Sequence, residues 1–286
     1  MKLISYRRQN ALHIGVLTPD GVVEIDDPSV PGELGAALLA GADLHTTASQ
    51  AVASPRPRLD LSSLDLLPVV PRPSKVLCIG LNYFSHAREA GLDKPAYPMV
   101  FMRGPSSLVA HGKPAIRPAV SESFDFEAEL AVVIGKPMRR ATAQTALDCV
   151  FGYSCFNDMS LRDYQRKTSQ YTMGKNFDAT GAFGPCLVTA DELPPGASGL
   201  SIQGRLNGTV MQSSNTSDMI WGVTDTIVLL TECMTLEPGD VIIMGTPGGV
   251  GAVRKTPVWM KHGDVFEVEI EQIGVLSNSI RDEPAP

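Results

Sequence analysis

Cysteine is scarce in this chain and poorly placed for cross-linking. The five present (Cys78, Cys149, Cys155, Cys186 and Cys233) include no C-x-x-C pair, and an odd number cannot all pair within one chain. Four sit in apolar stretches and read as small buried hydrophobes in a reducing compartment. Long apolar runs are also missing, so no segment would span a bilayer as a helix. The start, Met1–Arg8, lacks the apolar stretch of a signal peptide, and the expected location is cytoplasmic, with no membrane partner. Basic runs are absent too. Lys and Arg number 24 against 31 Asp and Glu, a formal charge of −7, and Arg166-Lys167 is the only adjacent basic pair in the densest basic stretch. That balance argues against nucleic acid as a partner. Gly245–Gly251 lacks the Gly-Lys-Ser/Thr ending of a phosphate loop and does not open a helix as G-x-G-x-x-G. No G-x-S-x-G elbow occurs, which disfavours a serine hydrolase.

What is present suffices for a large core: 286 residues, 43% of them hydrophobic. Residues 1–65 carry strand-like pieces at Leu3–Tyr6, Leu12–Leu17 and Val22–Ile25 and a short helix near Glu33–Leu39. Ser54–Ser74 holds five prolines and reads as an extended connector. The division expected is a small N-terminal domain with its connector over 1–70 and a catalytic domain over 71–286. In the second part, Lys75–Gly80 reads as a buried strand, Ser85–Gly91 as a short polar helix, and Met99–Met102 as a strand. Helices are expected at Thr142–Phe151 and Met219–Met234. Asn207-Gly208 signals a hairpin, and Val241–Met244 and Val265–Glu271 read as strands. Strands dominate and helices are few and short. The expected fold class is therefore α+β, a β-rich mixed roll rather than a doubly wound parallel sheet.

The chemistry concentrates in Phe124–Gly135. Glu127 and Glu129 are two apart on a strand, so their side chains share a face, with Cα atoms roughly 7 Å apart. The opposite face carries Phe126, Ala128, Leu130, Val132 and Ile134, a core face. Ala131 and Val133 continue the acidic face inward, so these carboxylates are not on a solvated edge, unlike Glu267, Glu269 and Glu271 on their alternating strand. Paired buried carboxylates call for a positive partner, most simply a divalent cation bound by oxygens. Asp158 ends a strand and offers a third carboxylate, although by itself it would cap a helix as readily. Arg162 and Gln165 follow at i+4 and i+7, on one helical face with it. Lys175 stands next to Gly174, where backbone can approach a ligand closely. Carboxylates without His or Cys favour Mg²⁺, with Mn²⁺ or Ca²⁺ as further options, over zinc. His86 and Glu89 at i, i+3 could form a water-activating pair, though spacing alone favours an ordinary surface helix. Gly245–Gly251, with its Thr hydroxyl and free N–H groups, could hold a carboxylate.

Taken together these motifs resemble the fumarylacetoacetate hydrolase family, across roughly Lys75 to Ile280. The carrying residues are Ile79–Tyr83 with His86 and Glu89, Asp125–Leu130, Asn157–Gln165, Gly174–Asp178, Leu206–Gly208, Glu237–Asp240 and Gly245–Pro247. The resemblance implies a mixed β-roll catalytic domain with a small N-terminal domain, usually as a homodimer. It implies Mg²⁺ or Mn²⁺ held by Glu127, Glu129 and Asp158, and a lid carrying the His86–Glu89 dyad. Lys175 would stabilise a developing enolate, and Arg162, Gln165 and Thr246 would bind substrate oxygens. Tyr83 is a candidate substrate contact; it and Tyr164, Tyr171, Met173, Trp221 and Trp259 could line an apolar pocket, or simply form core or interface. One departure is visible. Many members read Lys-Pro where this chain has Arg103-Gly104-Pro105, which should leave the metal site untouched and alter nearby substrate contacts.

The function this implies is metal-dependent hydrolysis of a carbon–carbon bond in a 1,3-dicarbonyl or acylpyruvate-like 2-oxo acid, with water activated by His86. The first alternative is decarboxylation or keto–enol isomerisation of a 2-oxo diacid in sugar-acid or aromatic catabolism, which needs the same site but no hydrolytic water. The second is a non-catalytic ligand-binding protein of the same fold, against which a base and an ammonium beside the carboxylates argue.

Overall fold

Near-continuous apolar strands such as Leu130–Ile134 are stable only where both sheet faces are covered. The structure, a computed structural model describing residues 1–89, 91 and 94–284, provides that cover. Its large sheet has eleven strands. The main path runs Gly21–Glu24, Ala11–Thr18, Lys2–Arg8, Gly181–Thr189, Val150–Asp158, Ala128–Ile134, Val241–Ile243, Val76–Gly80 and Met99–Arg103. Neighbours on this path are antiparallel except Val241–Ile243 with Val76–Gly80, which are parallel. A second sheet of five strands packs on it, ordered Thr209–Asn215, Ser201–Leu206, Val265–Ile270, Gly274–Asp282 and Ala115–Arg117. This is the mixed, strand-dominated roll expected of the sequence.

Two cores result. Between the sheets, Leu130, Val132 and Ile134 meet Ile202, Phe266, Val268 and Leu276. On the other face, Ala131, Val133, Val76 and Ile243 pack with Leu34, Leu38, Leu44 and Ala48 of the helices Leu34–Leu39 and Leu44–Ala53. Each buried aliphatic side chain contributes about 1.5–3 kcal/mol. The central strand is thus held from both sides at the depth where Glu127 and Glu129 lie.

The N-terminal strands join this sheet directly, since Lys2 and Leu3 pair with Val188 and Leu187. The proline-rich stretch is not a free spacer. Leu59 bridges to Val22, and Asp65–Leu66 pairs with the first strand. Asn207-Gly208 turns a hairpin with both residues at positive φ, as that dipeptide favours.

Two helix expectations need correction. Thr142–Phe151 yields only a single 3₁₀ turn, Ala146–Cys149, because Val150 already enters the sheet beside Ile134. The β-branched and aromatic run that follows fits a pleated surface better than a helix. The long helix begins at Val223 rather than Met219, because Ile220 and Trp221 donate their N–H groups to Asn82 instead. The short polar helix spans Phe84–Glu89 and is followed by Gly91 at positive φ; Ala90, within the range expected for it, lies outside the described residues.

Candidate active site

Sheet register brings the acidic side chains together. Ala128 pairs with Asn157, and Asp158 donates its N–H to the carbonyl of Glu127 at 2.9 Å, so Asp158 ends its strand beside Glu127. The carboxylates of Glu127, Glu129 and Asp158 then offer ligand oxygens within 4.8 Å of one another, all buried. The Asn157 side chain fixes the entry to the strand, its Oδ1 accepting from the Glu127 N–H at 3.0 Å.

The cations converge from three other segments. Lys175 Nζ reaches Glu127 Oε2 at 2.6 Å and Asp158 Oδ2 at 2.5 Å. Arg162 Nη2 stands 2.7 Å from Glu127 Oε1, while its Nε donates to Asp125 Oδ2 at 2.7 Å and its Nη1 to Gln165 Oε1 at 2.8 Å. Arg103 donates Nη1 to Asp158 Oδ1. The expectation that Arg103 leaves the metal site untouched is therefore wrong: a long guanidinium at this position bonds directly to one of the three carboxylates. The expected shared helical face is also corrected. Asp158 is on a strand and Ser160–Leu161 pairs with Phe124–Asp125, so only one helical turn, Arg162–Gln165, follows. Arg162 and Gln165 meet within that turn.

Electrostatics separates the two glutamates. Burial pushes the Glu127 carboxyl up, but Arg162 and Lys175 outweigh it and hold the group at about 2. Glu129 is driven well above its ordinary value by burial and then by Asp158 and Glu127, with Lys175 and the Gly245 N–H only partly opposing. Its Oε2 accepts that N–H at 2.5 Å, and no side-chain cation bonds to it among the described residues. Four buried carboxylates, counting Asp125, thus face three buried cations. A hard divalent cation fits this donor set: the oxygens are clustered, no nitrogen or sulfur ligand joins the cluster among the described residues, and Glu129 lacks the counter-charge that ionisation at this depth would need.

The glycine-rich loop holds carboxylates, and they are the protein's own. Gly245 N–H serves Glu129, Gly249 N–H serves Glu89 at 2.8 Å, and Gly251 and Ala252 N–H groups serve Asp125 at 2.8 and 3.0 Å. Gly245 is required where it is. Its φ is +87°, and a Cβ there would lie 2.7 Å from that of Asn82.

The helix Phe84–Glu89 brings His86 to the same cavity. His86 lines a space of 80 Å³ together with Glu127, Glu129, Asp158, Arg162, Gln165, Lys175 and Thr246. His86 Nδ1 lies 3.6 Å from Glu89 Oε2. The Glu89 carboxyl, raised by burial, is brought net below its ordinary value by His86 and the Gly249 N–H. Two expected contacts are placed differently. Tyr83 is not on the cavity wall but wholly buried, its hydroxyl without a partner among the described residues. Thr246 is on the wall, yet its hydroxyl hydrogen goes to Ala128 O at 3.0 Å and it accepts from Gln212 at 2.7 Å, so donation to a substrate would break a bond. Tyr171 lines the cavity against Phe101, with ring centroids 5.7 Å apart. Trp221 instead packs under the helix with Ala87, Tyr164 packs edge-on against Phe177, and Met173 is exposed. Sequence reasoning assigned no individual role to Asp125, Asn157 or Gln212, and expected Arg103 to alter substrate contacts rather than to bond Asp158. Asp125 had a signal as one more acid in the same run, Asn157 as part of a family motif and Arg103 as a departure from one; Gln212 had none. A larger surface groove of 740 Å³, near Met1, His45 and Asp191, has no comparable convergence of buried charge.

Fold and site together give an enzyme-like centre: clustered buried carboxylates of a kind that suits a divalent cation, with buried cations and a histidine around one small cavity. Comparison with known proteins agrees. The chain belongs to the fumarylacetoacetate hydrolase family, matching the model of the fumarylacetoacetate hydrolase C-terminal region over residues 75–281. It is 38% identical to the Homo sapiens protein named oxaloacetate tautomerase FAHD2A, mitochondrial, over 98% of this chain and 91% of that one. Among solved structures, a fumarylacetoacetate hydrolase from Exiguobacterium antarcticum superposes with a TM-score of 0.86 at 34% identity, covering 99% of this chain and all of that one. Maleylpyruvate hydrolase from Sphingobium sp. SYK-6, solved with manganese(II) and pyruvate, gives 0.83 at 26% identity, with 99% and 100% covered.

Proposed function

We propose that this chain interconverts the keto and enol forms of a short 2-oxo diacid of the oxaloacetate type, using Mg²⁺ or Mn²⁺ held by Glu127, Glu129 and Asp158. The observation that carries the reading is that His86, backed by Glu89, lines the same small cavity as the three clustered carboxylates. The likeness to the human tautomerase over nearly the whole chain supports it. The cation, when bound, supplies Lewis acidity that makes the carbon next to the keto group more acidic. His86 takes the proton from that carbon and, as imidazolium, gives a proton back to carbon or oxygen. Glu89 stands on the Nδ1 side of the imidazole, 3.6 Å away, and would orient it once the two close to hydrogen-bond distance, which leaves Nε2 as the nitrogen to act. Lys175 and Arg162 place positive charge beside the negative oxygen that develops. The bond from the Gly249 N–H to Glu89 ties the Phe84–Glu89 helix to the glycine-rich loop beside the cavity.

A second reading, hydrolysis of a carbon–carbon bond in an acylpyruvate, is favoured by the same dyad, which suits water activation as well as carbon deprotonation. The maleylpyruvate hydrolase likeness supports it. One experiment divides the readings. Purified protein is given oxaloacetate and a series of acylpyruvates, with Mg²⁺ or with a chelator. Metal-dependent loss of enol absorbance without new fragments is the expected result. Two acyl fragments would replace it with the hydrolase, released CO₂ with a decarboxylase, and no turnover of any compound with a binding protein.

We further propose that the chain works as a homodimer, supported by the apolar edge strand Met99–Arg103, where Met99, Val100 and Met102 are exposed. Light scattering giving a single-chain mass would overturn this. All five cysteines are unpaired, which supports a reducing compartment. The human relative is mitochondrial by name, and cell fractionation separates that placement from a cytoplasmic one.

A further inference from the structure

Arg103 sits in a socket shaped for a guanidinium. Its side chain is wholly buried. Nη1 donates to Asp158 Oδ1 and to the carbonyl of Met159 at 3.3 Å, Nη2 to Thr180 Oγ1 at 2.9 Å, and Nε to Ser107 Oγ at 3.3 Å. The Phe156 ring lies 5.8 Å away. Gly181, opposite Asp158 in the sheet, makes the room, for a Cβ there would come within 2.9 Å of Nε. A planar fork with several fixed partners cannot swing as a lysine can. The consequence falls on Asp158: Oδ1 is held by the fixed fork of Arg103, whereas Oδ2 accepts from Lys175 Nζ at 2.5 Å, a single ammonium on a flexible stem, so Oδ2 is the oxygen that can turn to a cation.

We propose that Arg103 is a positioning residue that restricts Asp158 to single-oxygen ligation and thereby makes the centre prefer Mg²⁺ and Mn²⁺ over Ca²⁺. The inference rests on the reading of Glu127, Glu129 and Asp158 as the cation site. The other carboxylates are restricted in the same sense, Glu127 by Arg162 and Lys175 and Glu129 by the Gly245 N–H. Ca²⁺ takes six to eight oxygens and gains from bidentate carboxylates, whereas Mg²⁺ and Mn²⁺ accept six, water included. Few free lone pairs on a rigid frame therefore disfavour the larger ion.

The test is direct binding without substrate. Mn²⁺ is titrated into metal-free protein by electron paramagnetic resonance, and Mg²⁺ and Ca²⁺ are then measured by competition. Wild type is expected to bind Mn²⁺ at least about tenfold more tightly than Ca²⁺. Arg103→Lys should keep Mn²⁺ binding and move the Mn²⁺/Ca²⁺ ratio about tenfold toward Ca²⁺. Thr180→Val and Ser107→Ala, which retain the charge and loosen the fork, should move the ratio the same way by less, and they carry the test if Arg103→Lys does not fold. A ratio unchanged in every folded variant overturns the role of Arg103 and leaves the cation site standing. A wild type that binds none of the three ions overturns both.

Discussion

Lys175 carries the sharpest consequence at the scale of a single residue. It bonds two carboxylates at once, and with Arg162 it holds Glu127 at about 2. A carboxyl whose folded-state value lies below its unfolded one stabilises the protein above the unfolded value and loses that stabilisation as pH falls. For Glu127 the window runs from the ordinary value of 4.5 down to about 2. In metal-free Lys175→Met the depression shrinks, so the acid-unfolding midpoint followed by circular dichroism should move to higher pH. Stability at neutral pH should fall by about 3 kcal/mol, because a buried partner is left uncompensated. A midpoint that does not move would mean that Arg162 alone sets Glu127. His86 makes a different prediction. His86→Asn should lower kcat by roughly 10²–10⁴ while Mn²⁺ affinity stays unchanged, since the imidazole bonds none of the three carboxylates among the described contacts. Equal losses in both quantities would place His86 among the cation's ligands.

At the scale of the element, the site depends on how the Gly245–Gly251 loop meets the turn before the helix Phe84–Glu89. Asn82 is fully buried there, donating to Trp221 O at 3.0 Å and Met244 O at 2.7 Å and accepting from Trp221 N at 2.8 Å. Gly245 passes beneath it at a positive φ. Gly245→Ala would meet both that backbone strain and the Asn82 side chain, so it should cost about 1–3 kcal/mol in urea unfolding. It should also weaken Mn²⁺ binding, because the N–H that orients Glu129 is displaced. Full stability with normal Mn²⁺ affinity would show that the loop adapts freely. The loop itself was visible in the sequence as a turn able to hold a carboxylate. Which carboxylates it holds (Glu129, Glu89 and Asp125) was not, since they are 116, 160 and 126 residues away in the chain.

For the whole molecule, the two cores clamp a strand whose acidic end has one carboxylate more than its buried cations can balance, so that burial and its acidic neighbours disfavour ionising Glu129. Binding a cation there must stabilise the entire fold by mass action, by about 2.7 kcal/mol at a hundredfold excess over Kd. Mn²⁺ or Mg²⁺ should therefore raise the melting temperature of chelator-treated protein, and Glu129→Gln should abolish most of the rise. A melting curve indifferent to both ions would show that the cluster is balanced by its own arginines and lysine.

By itself the sequence determined what periodicity and residue chemistry can carry. The i, i+2 spacing of Glu127 and Glu129 placed them on one face, and Ala131 and Val133 behind them showed that face going inward. Asn207-Gly208 predicted its hairpin because Asn and Gly take positive φ most readily. The tertiary structure alone decided the rest. Asp158 reaches Glu127 through strand register, Arg103 reaches Asp158 across 55 residues, and Tyr83 is turned into the core rather than to the cavity. Such contacts join distant segments, and neither hydrophobic period nor local spacing encodes which long side chain will meet which buried carboxylate.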